Sequence, residues 1–581
     1  MKRIYWLVVT VLMTTQLFAA WSFTGGCIYF DNSQTQWKDG TIMLIIGKST
    51  YSSVYSMMAD PNIADRWICN LPSSGWTDAE YMAVISASKS WKSGNFGKEN
   101  LVNATHYSAA YEAGLSATAG QGFLFAPQST ENGCTLKLTY LGTGYDGVKF
   151  ADSEKNNCYK IDEANQQITL IFSTSSRRFN IAKSDISKVY AYGSISLWDK
   201  EDEGYRLTNY SSDGCFYRTL PFSAVERIGN CGQAEWLFHI VKSDESKYED
   251  RAHSSWGTYG IDSRLVFDNK MLIAMPGDDL DEIAARWEYA KYVKPLSEWN
   301  LTDSMEQARI SNFRRVPGTK HLYRSYHPFD PARAKYDTEV ERLKYVRHFA
   351  ELFGIKCDIA LSGDMTSHAG NTYSCGGKNY TITIPDYYQS IIANNNVLYV
   401  GTRNGHTPDY NTVLYFSDGE RFAQWIQEVV EFIIDDAHPG PFQIHCALGA
   451  DRTGVFCETI GALCDANWAD LSEDYRRTSE LRIEEYRHPN TIRYSLRNMC
   501  GVDPAVGPAF NEAVKQHFIQ GGWLTAAQIA ALKAKLNKED TSTGLDEQIS
   551  NNLSADKVIK NGMLYIERNG STYSLTGQKL R

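Results

Sequence analysis

The chain has 581 residues, room for three or four domains at about 150 residues each, and its 43% hydrophobic and 22% charged content is that of ordinary globular protein. A net charge of −10 and a pI near 5.7 argue against a nucleic-acid partner and against a surface held by anionic lipid. No run beyond the N-terminal segment is long and apolar enough to span a bilayer, so no integral membrane segment is expected after that segment is cleaved.

Met1 to Ala20 reads as a secretory signal: Lys2 and Arg3 are basic, Ile4 to Met13 is apolar, and Ala19-Ala20 offers small residues for cleavage. The mature protein is therefore expected outside the cytoplasm, secreted, periplasmic or at the surface of a bacterial cell. Twelve cysteines suit an oxidising compartment; Cys27, Cys69, Cys134 and Cys158 fall in one module, and Cys215 and Cys231 in the next. These even numbers permit disulfides without specifying their pairing.

From 21 to 184 short alternating runs, Gly/Ser/Asn punctuation and scattered Trp predict a β-sandwich. Ile28 to Tyr107 resembles starch-binding carbohydrate modules, which implies a possible glycan partner. Trp37, Trp67, Trp76 and Trp91 suit either a sugar-stacking platform or a sandwich core. From 185 to 303 a second β-sandwich is expected, with strands around Val189–Ser194, Gly214–Leu220 and Glu235–His239. It loosely resembles immunoglobulin-like modules.

From 304 to 540 strands and helices alternate, the pattern of an α/β sheet. Thr338 to Phe353 presents Val340, Leu343, Val346, Phe349 and Phe353 on one helical face, with Gly354 as C-cap. Ile355 to Leu361 and Val397 to Val400 read as strands, and Asp418 to Asp436 as an amphipathic helix. Thr525 and Gln528 predict a capping box for a last helix. After Asn537 a polar linker leads into a tail, within 541–581, with hairpin signals at Asn561-Gly562 and Asn569-Gly570. This tail resembles the short C-terminal β tails of secreted bacterial proteins, some of which are sorting signals; a plain hairpin is the alternative.

The most informative stretch is Phe442-Gln443-Ile444-His445-Cys446-Ala447-Leu448-Gly449-Ala450-Asp451-Arg452-Thr453-Gly454. A short apolar strand, Pro441 to Ile444, runs through a tight loop into a helix, Thr453 to Ala466. Backbone N–H groups in such a loop converge on an anion at the helix N-terminus. Gly449 lets the loop fold back, and Arg452 adds a fork of donors matched to two phosphate oxygens. A thiol in that potential ionises below about 8.5, which makes Cys446 a nucleophile.

His445 to Gly454 resembles the phosphate loop of the cysteine-dependent protein-tyrosine and dual-specificity phosphatases. Asp451 before Arg452 is similar to the bacterial tyrosine-phosphatase branch whose loop reads Cys-x-x-Gly-Lys-Asp-Arg-Thr-Gly. Asn312-Phe313-Arg314, Leu322-Tyr323-Arg324-Ser325 and Leu471-Ser472-Glu473-Asp474-Tyr475 are similar to the branch's flanking motifs; Ala450 stands where it has Lys. The resemblance implies that Cys446 forms a phosphocysteine while Ala447, Leu448, Gly449, Ala450, Asp451 and Arg452 hold the phosphoryl oxygens. His445 would keep the thiol ionised, Thr453 would ease thiolate release, and no cofactor or metal takes part. The proton donor to the leaving oxygen is Asp409, Asp451 or Asp386, the first lying 37 residues (446 − 409) before the cysteine.

The expected architecture is thus multidomain: two N-terminal β-sandwich modules, an α/β tyrosine-phosphatase-like domain and a short C-terminal β tail. The expected activity is hydrolysis of phosphate monoesters, protein phosphotyrosine first, because the loop is nearly neutral apart from Arg452. A glucan or inositol-phosphate phosphatase is the alternative enzyme, and a glycan-binding surface protein with a vestigial phosphatase domain the alternative outside catalysis.

Overall fold

The computed structural model describes residues 20–538, except 38–39, 74–75, 88–90, 146, 175–180, 251–261, 268–269 and 404, together with strands between 556 and 580. Residues 1–19 of the predicted signal segment lie outside it. No helix among the described residues is long and apolar enough to cross a membrane. The chain divides into two compact units, Met1–Ala285 and Arg286–Arg581.

The first unit is built of β-sheets. Strands Cys27–Asp31, Arg66–Asn70, Gln121–Pro127 and Leu136–Thr143 belong to one sheet, and Thr41–Lys48, Tyr51–Ser56, Tyr81–Ala87 and His106–Tyr107 to another. Side chains alternate across a strand, so Ile42, Leu44 and Ile46 enter one core cluster while Met43 and Ile45 enter a second on the opposite face. Trp37, Trp67 and Trp76 are buried in the first of these clusters. Trp91 is half-buried, its ring edge-on to Phe96. These four indoles are used in packing and make no exposed platform.

Gln167–Ser173 pairs along its whole length with Cys215–Pro221, from Gln167 opposite Pro221 to Ser173 opposite Cys215. Leu170 and Phe172 share a core with Val189, Trp236 and Phe238 from the facing sheet. Residues 159–173 therefore belong with the later strands. This pairing of Gln167–Ser173 with Cys215–Pro221 runs across the boundary expected at 184/185. No disulfide joins any of the twelve cysteines among the described residues, and eleven of their side chains are buried.

The second unit contains the predicted α/β sheet. Its elements are α1 (Ser304–Ser311), β1 (Arg314–Arg315), β2 (Leu322–Ser325), α2 (Glu339–Leu352), β3 (Cys357–Ala360), β4 (Thr372–Cys375), β5 (Lys378–Thr381), α3 (Asp386–Ala393) and β6 (Val397–Tyr399). There follow α4 (Tyr410–Tyr415), α5 (Glu420–Ile434), β7 (Phe442–His445), α6 (Asp451–Leu463), α7 (Trp468–Arg477), α8 (Pro489–Cys500), α9 (Pro508–Gln520) and α10 (Ala526–Leu536). The sheet order is β1-β2-β7-β3-β6, with β2, β7, β3 and β6 parallel. β4 and β5 form a separate hairpin.

Helices cover both faces, as a parallel sheet requires. Leu343, Val346, Phe349 and Ala350 of α2 pack with Tyr388 and Ile391 of α3. On β7, Gln443 points to that side, where its Oε1 accepts from the Tyr388 hydroxyl at 2.8 Å. Phe442 points the other way and meets Phe432 of α5 edge-on. Gly354 ends α2 at φ +61°, and the Thr525–Gln528 capping box forms as predicted. In the tail, Lys560 pairs with Met563 and Arg568 with Ser571, although the two Asn-Gly turns lie outside the described residues. Leu343 is fully buried, so Leu343→Ala is expected to destabilise this unit by about 2–5 kcal/mol, read as a lower urea midpoint.

Candidate active site

The four parallel strands end level: Ser325 pairs with His445, His445 with Ala360, and Ala360 with Tyr399. In an open α/β sheet the crevice beyond these carboxyl ends is where ligands bind. Cys446–Ala450 leaves β7 into it, flanked by the segments that follow β2, β3 and β6.

The carbonyls of this loop are drawn outward. Asn312 Nδ2 donates to Leu448 O at 3.2 Å and to Gly449 O at 3.0 Å. Arg324 Nη2 donates to Gly449 O at 2.8 Å and Ala450 O at 3.2 Å. The His327 N–H holds Ala447 O at 3.2 Å. In a trans peptide the N–H points opposite the C=O, so the N–H groups of Leu448, Gly449, Ala450 and Asp451 turn inward toward the start of α6. Gly449 makes the fold-back possible at φ +64°, where a Cβ would stand 1.9 Å from Ser325 O.

Among the described residues Arg452 is anchored at one corner. Its Nη1 donates to Leu361 O at 3.2 Å and Pro408 O at 3.1 Å, which leaves Nε and Nη2 as a fork for an anion. Cys446 is buried at the loop's base. Burial pushes its thiol up, but the Arg452 guanidinium, the Thr453 hydroxyl and the Thr453 N–H outweigh this and hold it below its ordinary value, against a smaller opposing effect of Asp451. The Thr453 Oγ1 is itself buried and has no other partner among the described residues. The arrangement is a thiol held below its ordinary pKa beneath a ring of inward amides and a guanidinium fork. It suits in-line attack on a phosphoryl group.

Residues 402–538 match the model of the tyrosine phosphatase family. No curated protein matches the chain. The matched segment runs from the end of β6 through the Cys446 loop to α10, so this part of the chain is a tyrosine-phosphatase-like domain, and phosphatase activity is what such a domain supports.

The flanking motifs of this phosphatase-like domain brace the loop from behind. Arg314 Nε donates to Asp474 Oδ1 at 2.6 Å and its Nη1 to both oxygens of Asn312, while Arg324 bonds Asp474 and lies 3.1 Å from Glu458 Oε1. Burial opposes ionisation of Asp474, yet the two arginines hold its carboxyl well below the usual range. Glu458 goes the opposite way, pushed far up by burial and by the Asp474 charge.

The three predicted acids fall in different surroundings. Asp451 accepts Arg487 Nε at 2.6 Å and Nη2 at 2.9 Å, and the Tyr475 hydroxyl donates to it at 3.2 Å. This bidentate pair uses the carboxylate as an acceptor and ties the loop to Arg487. Asp386 is exposed in the first turn of α3. Asp409 is exposed at the start of α4, where it accepts Thr412 N at 2.9 Å and Thr412 Oγ1 at 2.7 Å. Its neighbour Pro408 supplies the carbonyl that meets Arg452, so the Asp409 segment lies against the phosphate fork.

Sequence reasoning missed several neighbours of the loop. His445 Nε2 lies 3.0 Å from Asp358 Oδ1 on β3, both side chains fully buried. The His327 ring stands edge-on to His445 at 4.5 Å, and His368 lies 5.9 Å beyond it with Nδ1 2.9 Å from the Tyr373 hydroxyl. Asp330 sits 3.8 Å from His368 Nε2; burial, with Glu339 adding to it, pushes its carboxyl up against the pull of His368, His445 and Arg333. The only sequence signal was the turn-like His327-Pro328-Phe329-Asp330.

Gly449→Ala is expected to fold with a distorted loop and to lose phosphate-competitive inhibition together with activity, because both the positive φ and the Ser325 carbonyl oppose a methyl group. A melting curve beside an inhibition series with inorganic phosphate reads both effects.

Proposed function

We propose that this chain is a secreted cysteine-dependent phosphatase that hydrolyses phosphate monoesters, protein phosphotyrosine foremost. The observation that carries this reading is the loop itself, with its carbonyls pulled outward, its amides turned inward and the Cys446 thiol held low beside Arg452.

In the first step Cys446 Sγ forms a bond to phosphorus as the bond to the leaving oxygen breaks, and that oxygen takes the electron pair. Asp409 supplies it with a proton; its place beside the Pro408–Arg452 contact favours it over Asp451, whose oxygens are committed to Arg487. In the second step water attacks phosphorus, Asp409 takes back a proton, and the S–P bond breaks to release inorganic phosphate and the thiolate. The Thr453 hydroxyl then stabilises the returning sulfur.

The substrate class follows from charge. Ala447, Leu448 and Ala450 leave Arg452 as the one basic side chain of the loop, which matches a single phosphate better than a polyphosphate. His327, His368 and Tyr373 give the wall beside the loop an aromatic character suited to an aryl ester. Export is supported by the basic and then apolar start of the chain.

Wild type and Cys446→Ser, assayed on a phosphotyrosyl peptide, an inositol polyphosphate and phosphorylated amylopectin, test the reading. Release from the peptide should be fastest and should fall by about a thousandfold or more in the variant. Preference for the glucan or the inositol would redirect the substrate class; release from none would favour a glycan-binding protein. Asp409→Asn should slow the peptide by about 10²-fold or more yet spare an aryl phosphate with an acidic phenol, which needs no proton. If Asp330→Asn showed that leaving-group dependence instead, Asp409 would be the wrong acid.

A further inference from the structure

His445 is held between two acceptors. Its Nε2 lies 3.0 Å from the Asp358 carboxylate, and its Nδ1 lies 3.3 Å from the carbonyl oxygen of Cys446. Neither partner can donate, so each ring nitrogen makes a hydrogen bond only if it carries a proton. An imidazole with both protons is a cation. The second carboxylate oxygen, Asp358 Oδ2, is buried with no partner among the described residues, which leaves the bond to His445 as the one that orients this side chain.

We propose that Asp358 is a positioning residue that fixes His445 as an imidazolium and so keeps a positive charge one residue from the nucleophile. The inference rests on Cys446 being that nucleophile.

Every group packed on His445 fits. From β3 comes Asp358; from the segment after β2 comes His327, whose Nδ1 accepts the N–H groups of Phe329 at 3.0 Å and Asp330 at 2.7 Å. That ring is thereby kept neutral. Burial, with the charges of His445, His368 and Arg452, holds it well below the usual histidine range. For His445 burial works against the charge, but the Asp358 carboxylate and the Cys446 backbone and sulfur outweigh it and raise the ring above its ordinary value. Asp330 adds a more distant carboxyl, and Arg452, Thr453 and Asp451 act on Cys446 from its own loop and helix. Replacing Asp358 by a neutral amide removes the acceptor that demands the Nε2 proton, the ring gives it up, and the positive charge on the residue before Cys446 is lost.

The test follows the ionisation of Cys446 without using turnover. Its alkylation by iodoacetamide is measured against pH, with the Cys446 peptide quantified by mass spectrometry, in wild type, Asp358→Asn, His445→Gln and the double variant. The midpoint is expected to rise by about one pH unit in Asp358→Asn, and by no more in the double variant than in His445→Gln alone. In ¹⁵N-histidine-labelled wild type, which needs no variant to fold, the His445 ring should show both nitrogens protonated near pH 7. An unmoved midpoint in a folded Asp358→Asn protein, a further shift in the double variant, or a singly protonated His445 would each overturn the proposal. A wild type that releases no phosphate but shows these shifts would refute the proposed activity and leave this pair intact.

Discussion

The site depends on the outward pull exerted on three peptide carbonyls. Leu448, Gly449 and Ala450 are deeply placed, and a buried carbonyl without a donor costs about as much as a lost hydrogen bond. Asn312 and Arg324 supply those donors, joined at Ala450 O by the Gly454 N–H at 2.7 Å, and with the carbonyls so engaged the amides face the anion. Arg324 is fully buried and needs a counter-charge of its own, found in Asp474, with Glu458 Oε1 as a further acceptor. Buried ion pairs add little net stability, since desolvation offsets attraction. Here the pairing is better understood as a means of fixing where Arg324 points.

This dependence explains which parts were legible in the sequence. The strand, loop and helix around Cys446 are contiguous, so their pattern was readable residue by residue, as were α2, α5 and the capped α10. Asn312, Arg324 and Asp474 were visible only as resemblance, because their partners lie far off: Asn312 meets Leu448 across 136 residues and Arg324 meets Asp474 across 150. Asp358 gave no signal at all, being one polar residue in a short strand. Strand pairing failed for the same reason in the first unit. Periodicity marks Gln167–Ser173 as a strand but does not say that Cys215–Pro221 is its neighbour. The tryptophans there could be read as platform or core from composition alone, and burial decided for core.

The carboxylates separate by what their oxygens already do. Asp451 is inseparable from Arg487 and through it from Glu485, so it behaves as part of the loop's frame. Among the described residues Asp409 is engaged by Thr412 alone, in a cap whose loss costs about 1 kcal/mol. Its segment is also tied to Arg452 Nη1 by the Pro408 carbonyl.

Ala450 closes the reasoning about charge. In this chain position 450 is 1% exposed and packs in the same apolar cluster as Leu448, Leu481 and Ile483. The side of the loop away from the anion is therefore apolar packing next to the Arg324 brace, with no second flexible cation to reach toward a substrate. What remains for the ligand is fixed: four inward amides, the N-terminus of α6 and one guanidinium fork. Such a cradle complements the three equatorial oxygens of a single transferring phosphoryl group.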